Sequence, residues 1–359
     1  MKDLDIYNYI KKNKNTFIIT VWPVCQNGDN IITKNYTTEF CKIIYYKEIK
    51  LDPASYKNFL YHISDKNNHP LGVELWFAKP YSDNTPLKIY VIETSPNTLN
   101  INLNIIRTYL INIFSNNTNY ITMIENKYGI DAIKNLYITT MIKRKSRTEL
   151  SNKGYVMKVL QETKPFNYSH HVNDFHYETI ELGKLLFNEN TLKLLKYFKW
   201  NVLPGFEKKF SNFKNFLLKN HIDTDNIIIY NSGILGPFGL REPNDIDFLQ
   251  LDKVLIKQSQ LPPDIDIQNI YFKRGYMILQ NKDKAQYMED NPSFMQNIEL
   301  NNPKIIWKLS LHEILFNPEN YFYYKGLKFM SPKLFNKVKK IRGRPKDLQQ
   351  IQILNKILN

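Results

Sequence analysis

Only two of the 359 residues are cysteine, Cys25 and Cys41. That excludes a disulfide framework and a cysteine metal knuckle, and makes a reducing compartment the default. Glycine is scarce too, with 12 residues, and residues 1–155 hold no glycine loop of a nucleotide-binding kind. No hydrophobic run approaches the roughly 20 residues that span a bilayer. The apolar run Phe17 to Val21 is too short for a signal-peptide core and reads as a strand. Internal repeats, a low-complexity tail and a long basic block are also missing. These absences lead to the expectation of a soluble cytoplasmic protein without a membrane partner.

What the chain does have is positive charge: 49 Lys and Arg against 34 Asp and Glu, a formal net charge of +15. A surplus of this size favours a polyanionic partner such as nucleic acid, a nucleoside triphosphate or an acidic glycan. A compositional origin stands beside it. The chain is crowded with Asn, Lys, Ile and Tyr, which an AT-rich genome encodes easily. With 43% hydrophobic residues, the chain is long enough to bury proper cores.

Residues 1–155 predict a mixed α/β domain. Strands are expected at Thr16–Val21, Cys41–Tyr46, Gly72–Phe77, Leu87–Ile92 and Tyr137–Met141. One helix is expected from Asp52-Pro53, and another from Ser95-Pro96 to near Phe114. The basic cluster Lys143, Arg144, Lys145 and Arg147 would then follow a strand, as a solvated rim or a nucleic-acid contact. Residues 156–225 predict a helical linker region. Asn173-Asp174 is expected to cap its first helix, and Phe206–Leu218 to form a Lys-rich amphipathic second. His170, His171 and His176 gather near Asp174 and Glu178, a spacing that invites a metal reading, although capping competes with it.

Residues 226–359 carry the clearest signal. A short apolar strand, Ile227–Tyr230, leads into a glycine-bearing turn with Ser232, Gly233, Gly236 and Gly239, then Arg241, then Asp245-Ile246-Asp247-Phe248. Alternation along a strand puts Asp245 and Asp247 on one face and Ile246 on the other. Two adjacent carboxylates repel, so the pair calls for a cation, and Mg²⁺ or Mn²⁺ is the hard ion such ligands suit. The turn's glycines let backbone approach a triphosphate, Ser232 can donate to it, and Arg241 can clamp a phosphate. Simple turn chemistry explains Ser232 equally well. Arg241 has an alternative in pairing with Glu242 or Asp245.

This stretch resembles the nucleotidyltransferase superfamily of DNA polymerase beta type. Its motif, an apolar residue, Gly, Gly or Ser, a spacer and Asp-apolar-Asp, maps onto Tyr230-Asn231-Ser232 and Asp245-Ile246-Asp247-Phe248. Asn231 departs from it, standing where the motif has its first Gly. Further stretches, among them Phe187-Asn188-Glu189-Asn190, Asn317–Phe322 and Arg342–Asp347, look like a poorly characterised branch found in polysaccharide loci and giant viruses. The resemblance implies an α+β fold whose C-terminal mixed sheet is flanked by helices. It also implies a third carboxylate from a later strand, with Asp266 the candidate and Asp264 behind it. In the implied reaction Asp245, Asp247 and Asp266 hold Mg²⁺, Asp266 helps deprotonate the acceptor, and Ser232, Gly233 and Arg241 hold the nucleotide. The nucleoside triphosphate would give its nucleotidyl group to a sugar phosphate, a glycan precursor or an RNA 3′ end. The alternatives are a catalytically dead member that binds nucleic acid, and an assembly protein that reuses the fold.

Overall fold

The computed structural model describes residues 2–63, 86–114, 117–154, 157–161, 164–199, 202–251, 256–267, 272–273, 276–279 and 307–358. The expected strand Gly72–Phe77 lies outside them. The chain is mixed α and β and divides into two compact units, residues 1–53 with 69–187, and residues 54–68 with 188–359. The stretch 156–225, expected as a linker, therefore divides at Phe187 between the two. No helix among the described residues is long and apolar enough to cross a membrane.

In the first unit, α1 (Asp3–Lys12), β1 (Thr16–Val21), α2 (Asp29–Asn35) and β2 (Cys41–Ile49) are followed by β3 (Leu87–Thr94), with α3 (Pro53–Ile63) between them in sequence. Next come α4 (Leu103–Ile113), α5 (Thr118–Tyr128), α6 (Ile130–Asn152), the hairpin β4 (Met157–Gln161) and β5 (Lys164–Tyr168), β6 (His170–Val172) and α7 (His176–Leu186). The sheet order is β2-β3-β1-β6, with every pair antiparallel. β1 sits inside the sheet, and all six of its residues are buried. Phe17 and Ile19 join a core with Ile92, Ile106, Leu110, Ile124, Leu136 and Ile138, contributed by β3, α4, α5 and α6.

Three expectations are corrected here. Tyr137–Met141 is helical, inside the 23-residue α6. Its β-branched, aromatic composition suggested a strand, but this helix is buried from Asn135 through Thr140, so no apolar stripe marks its period. The Thr139 hydroxyl donates back to the Asn135 carbonyl at 3.0 Å, so the buried hydroxyl is satisfied within the helix. The basic cluster consequently lies on α6. Lys143 donates to the Val172 carbonyl at 3.5 Å and Arg147 to that of His170 at 2.9 Å, tying the helix to β6. Asn173-Asp174 does not cap α7. Phe175 is the N-cap, and Glu178 reaches back to accept the amides of Asp174 (3.0 Å) and Phe175 (3.2 Å). The helix expected from Ser95-Pro96 also starts later, at Leu103, where Asn102 accepts from the Asn104 amide.

The second unit takes α3 because Asn58 donates to the carbonyls of Leu195 and Phe198 at 2.6 and 3.1 Å. It continues with α8 (Glu189–Leu194), α9 (Pro204–Lys219), β7 (Ile227–Ile229), a 3₁₀ turn (Asn231–Phe238), β8 (Ile246–Gln250) and β9 (Ile265–Ile267). After these come β10 (Phe272–Lys273), β11 (Tyr276–Leu279), β12 (Trp307–Ser310), α10 (Leu311–Phe316), β13 (Tyr321–Tyr324), β14 (Leu327–Met330), α11 (Pro332–Arg342) and α12 (Pro345–Leu358). The principal sheet runs β13-β14-β7-β8-β9. It is mixed, with β14–β7 and β8–β9 parallel and the other pairs antiparallel.

One face of this sheet is covered by α9. Phe206, Phe210, Phe213 and Leu217 recur at helical spacing and are all buried. The Phe213 ring lies 4.8 Å from that of Phe248 on β8, and Phe210 stacks on Phe329 of β14 at 5.9 Å. Burying a ring of this size contributes about 1.5–3 kcal/mol, so the phenylalanine row anchors the helix firmly. Alternation then points Asp247 to the opposite face of β8.

Candidate metal centre

The site is built on two strands and the loop before them. Asp247 on β8 and Asp266 on β9 are register partners in a parallel pair, so both side chains emerge on the same face. Asp245 lies two residues before Asp247. The ladder runs on beyond the strand, because the Ile246 amide donates to the Asp264 carbonyl at 2.8 Å. One carboxylate oxygen from each of Asp245, Asp247 and Asp266 lies within 4.8 Å of the others. Oxygens around one Mg²⁺ sit about 3.0–4.2 Å apart at normal bond lengths. Small side-chain rotations therefore suffice to close the set on one ion. The donor type, three hard anionic oxygens, fits Mg²⁺ or Mn²⁺.

Burial raises the Asp245 carboxyl above its usual range, and the neighbouring Asp266 carboxylate raises it further. Lys209 on α9 acts against this shift. That lysine also anchors the loop, donating to the carbonyls of Pro243 (3.1 Å) and Asn244. Asp264, the other candidate for third carboxylate, is a turn residue with φ +66°, and its side chain is exposed, 3.9 Å from Lys209. Asp266 is the residue that converges.

Asn231 has φ +54°, in the left-handed region where Asn is among the few tolerated residues besides glycine. Its departure from the motif is therefore conformationally neutral. Its Nδ2 donates to Asp247 Oδ2 at 3.2 Å, and its Oδ1 accepts from Lys339 Nζ at 3.2 Å and Arg342 at 3.0 Å. Those two cations come from α11, which ends at Gly343 in a left-handed cap. Asp347, in the first turn of α12, is fully buried and accepts from Lys339 (2.8 Å) and Arg344 (2.8 Å). Arg342 stands 3.5 Å from it. Burial, then the nearby Arg342, pushes the Lys339 ammonium down to about 8.

The glycines of the turn also have a packing use. A Cβ on Gly233 would meet the Ile229 side chain at 2.7 Å, and one on Gly236 would meet the Phe206 ring at 2.2 Å. Both glycines serve packing within the unit. Gly239, at φ +65°, ends the 3₁₀ turn. Ser232 and Arg241 are half-buried near the turn and make no side-chain hydrogen bond or ion pair among the described residues. Glu242, considered as a partner for Arg241, instead accepts the Gly205 amide at 2.9 Å in the first turn of α9.

The histidines do not assemble a metal set among the described residues. His170 is fully buried between the Tyr36 hydroxyl (2.9 Å) and Ser169 Oγ (2.7 Å), and His176 Nδ1 faces the Thr16 carbonyl. Burial, then Arg147 and Lys143, holds His170 well below the usual histidine range. Lys339 is a residue beside the site that the sequence reading did not single out. The signal for Lys339 was its place on the apolar stripe of α11, beside Phe335 and Val338.

No family model, curated protein or solved structure matches the chain.

Proposed function

We propose that the second unit is a metal-dependent nucleotidyltransferase. It would move a nucleotidyl group from a nucleoside triphosphate to an acceptor hydroxyl or phosphate. The observation that carries this is the convergence of Asp245, Asp247 and Asp266 from a strand–turn–strand layout. Held by these three carboxylates, Mg²⁺ or Mn²⁺ would neutralise charge on the transferred phosphorus and lower the pKa of the attacking group. Around the ion, the chain's own residues divide the work. Asp266, whose carboxylate converges with those of Asp245 and Asp247, would complete the site and help deprotonate the acceptor. Ser232 and Arg241 carry donors not committed within the described residues, and they are the groups for the phosphates. Gly233 supports the turn by packing and contributes no more than backbone. An acceptor of RNA or glycan-precursor type suits the net charge of +15.

The test is thermal melting of wild type and Asp245→Ala/Asp247→Ala against each of the four ribonucleoside triphosphates, in Mg²⁺ or EDTA. An upward shift that needs both metal and triphosphate, and is lost in the variant, is expected. A wild type that melts identically in all conditions would overturn the proposal. A metal-independent, steeply salt-dependent affinity for RNA in its place would identify a nucleic-acid-binding module.

A further inference from the structure

We infer that Asn231 is a positioning residue, an amide bridge that holds Asp247 in place for the ion. The inference rests on the metal reading of the Asp245–Asp247–Asp266 set.

Chemistry fixes how the amide is turned. Lys339 and Arg342 can only donate, and an ionised Asp247 can only accept. One orientation of the carboxamide satisfies all three, with Oδ1 toward the two cations and Nδ2 toward the carboxylate, and this is the one observed. The reversed amide would set NH₂ against two cations and oxygen against a carboxylate.

The cations behind the amide are themselves held in place. Lys339, Arg342 and Arg344 all lie against the buried carboxylate of Asp347. Asn231 accepts from Lys339 and Arg342 on one atom, and donates to Asp247 from the other end of the same planar group. It also orients that carboxylate, as partners of metal ligands commonly do. The backbone demand and the amide demand coincide at this position. Glycine would meet the φ of +54° but offer no bridge.

Asn231→Gly separates the two roles, since it keeps the left-handed conformation without strain and removes only the amide. The experiment is Mn²⁺ titration, followed by the electron paramagnetic resonance signal of the free ion. It compares wild type, Asn231→Gly and Asp245→Ala/Asp247→Ala, each shown to be folded at the assay temperature by circular dichroism. The wild type is expected to hold one Mn²⁺ that the double variant loses. Asn231→Gly is expected to bind it roughly tenfold more weakly. Equal affinity in Asn231→Gly and wild type would overturn the positioning role while leaving the site reading intact. Mn²⁺ binding that is absent from wild type, or that survives in the double variant, would overturn the site reading and this inference together.

Discussion

Without an ion, the second unit carries a cost that one substitution can remove. Asp245 sits against Asp266, and the three carboxylate oxygens lie within 4.8 Å of one another. Two unit charges at that distance repel by about 0.9 kcal/mol at the dielectric of water and by about 3.5 kcal/mol at an effective value near 20. Asp245 is half-exposed, so solvent screening keeps the relevant figure near the lower end, about 1 kcal/mol. Asp245→Asn deletes one charge at constant shape. In EDTA the variant is therefore expected to melt above wild type, by about 2–4 °C for a unit of this size. Adding Mg²⁺ or Mn²⁺ should reverse the order, raising wild type and leaving the variant unmoved. The assay is differential scanning calorimetry in EDTA and across a metal titration, at low and high salt. High salt should shrink the gap in EDTA. If Asp245→Asn melts at or below wild type in EDTA, the carboxylates are not repelling each other and the electrostatic account of the site fails.

Two other outcomes follow from the same geometry. The folded-state value of Asp245 is raised, by burial first and Asp266 second. The folded chain therefore holds that proton more tightly than the unfolded chain, and the charged form costs stability at neutral pH. That cost is relieved as pH falls through the folded value towards the unfolded one. Metal must displace the same proton, so Mn²⁺ affinity should weaken on acidification before the ordinary carboxylate range is reached. A titration from about pH 7.5 to about pH 5 tests this, and a flat profile would count against it. Gly236→Ala drives a methyl group into the Phe206 ring, with 2.2 Å between the new Cβ and the ring. It should lower stability by about 1–3 kcal/mol, read as the midpoint of urea unfolding. An unchanged midpoint would show that the turn is looser than its packing implies.

The sequence alone settled the features that depend on local alternation and chemistry. The run Thr16–Val21 is a buried strand because nothing polar but threonine interrupts it. The spacing of Phe206, Phe210, Phe213 and Leu217 defined α9. Asp-Ile-Asp at 245–247 set two carboxylates on one side of the chain entering β8, and a strand at Asp266 was legible from the same alternation. Elsewhere the local signal was overruled. Tyr137–Met141 has strand composition but is helical, since the continuously buried stretch Asn135–Thr140 gains more from packing than its β-branched residues lose. The sequence marked close approaches at the glycines of the 231–239 turn, but not that the side chains of Ile229 and Phe206 lie against Gly233 and Gly236.

Only the tertiary structure decided the rest. Parallel pairing in register set Asp266, not Asp264, beside Asp247, and strand register depends on contacts between segments, which no window of sequence contains. The fold also brought Lys339 and Arg342 from over a hundred residues downstream to the amide of Asn231, with Asp347 behind Lys339. A residue that broke the motif on paper thereby became the bridge between Asp247 and a buried charge cluster. Sequence fixes which side chains can bind, accept or repel. Which of them meet is set by how α11 and α12 pack, because burying their apolar stripes leaves those charged groups nowhere else to go.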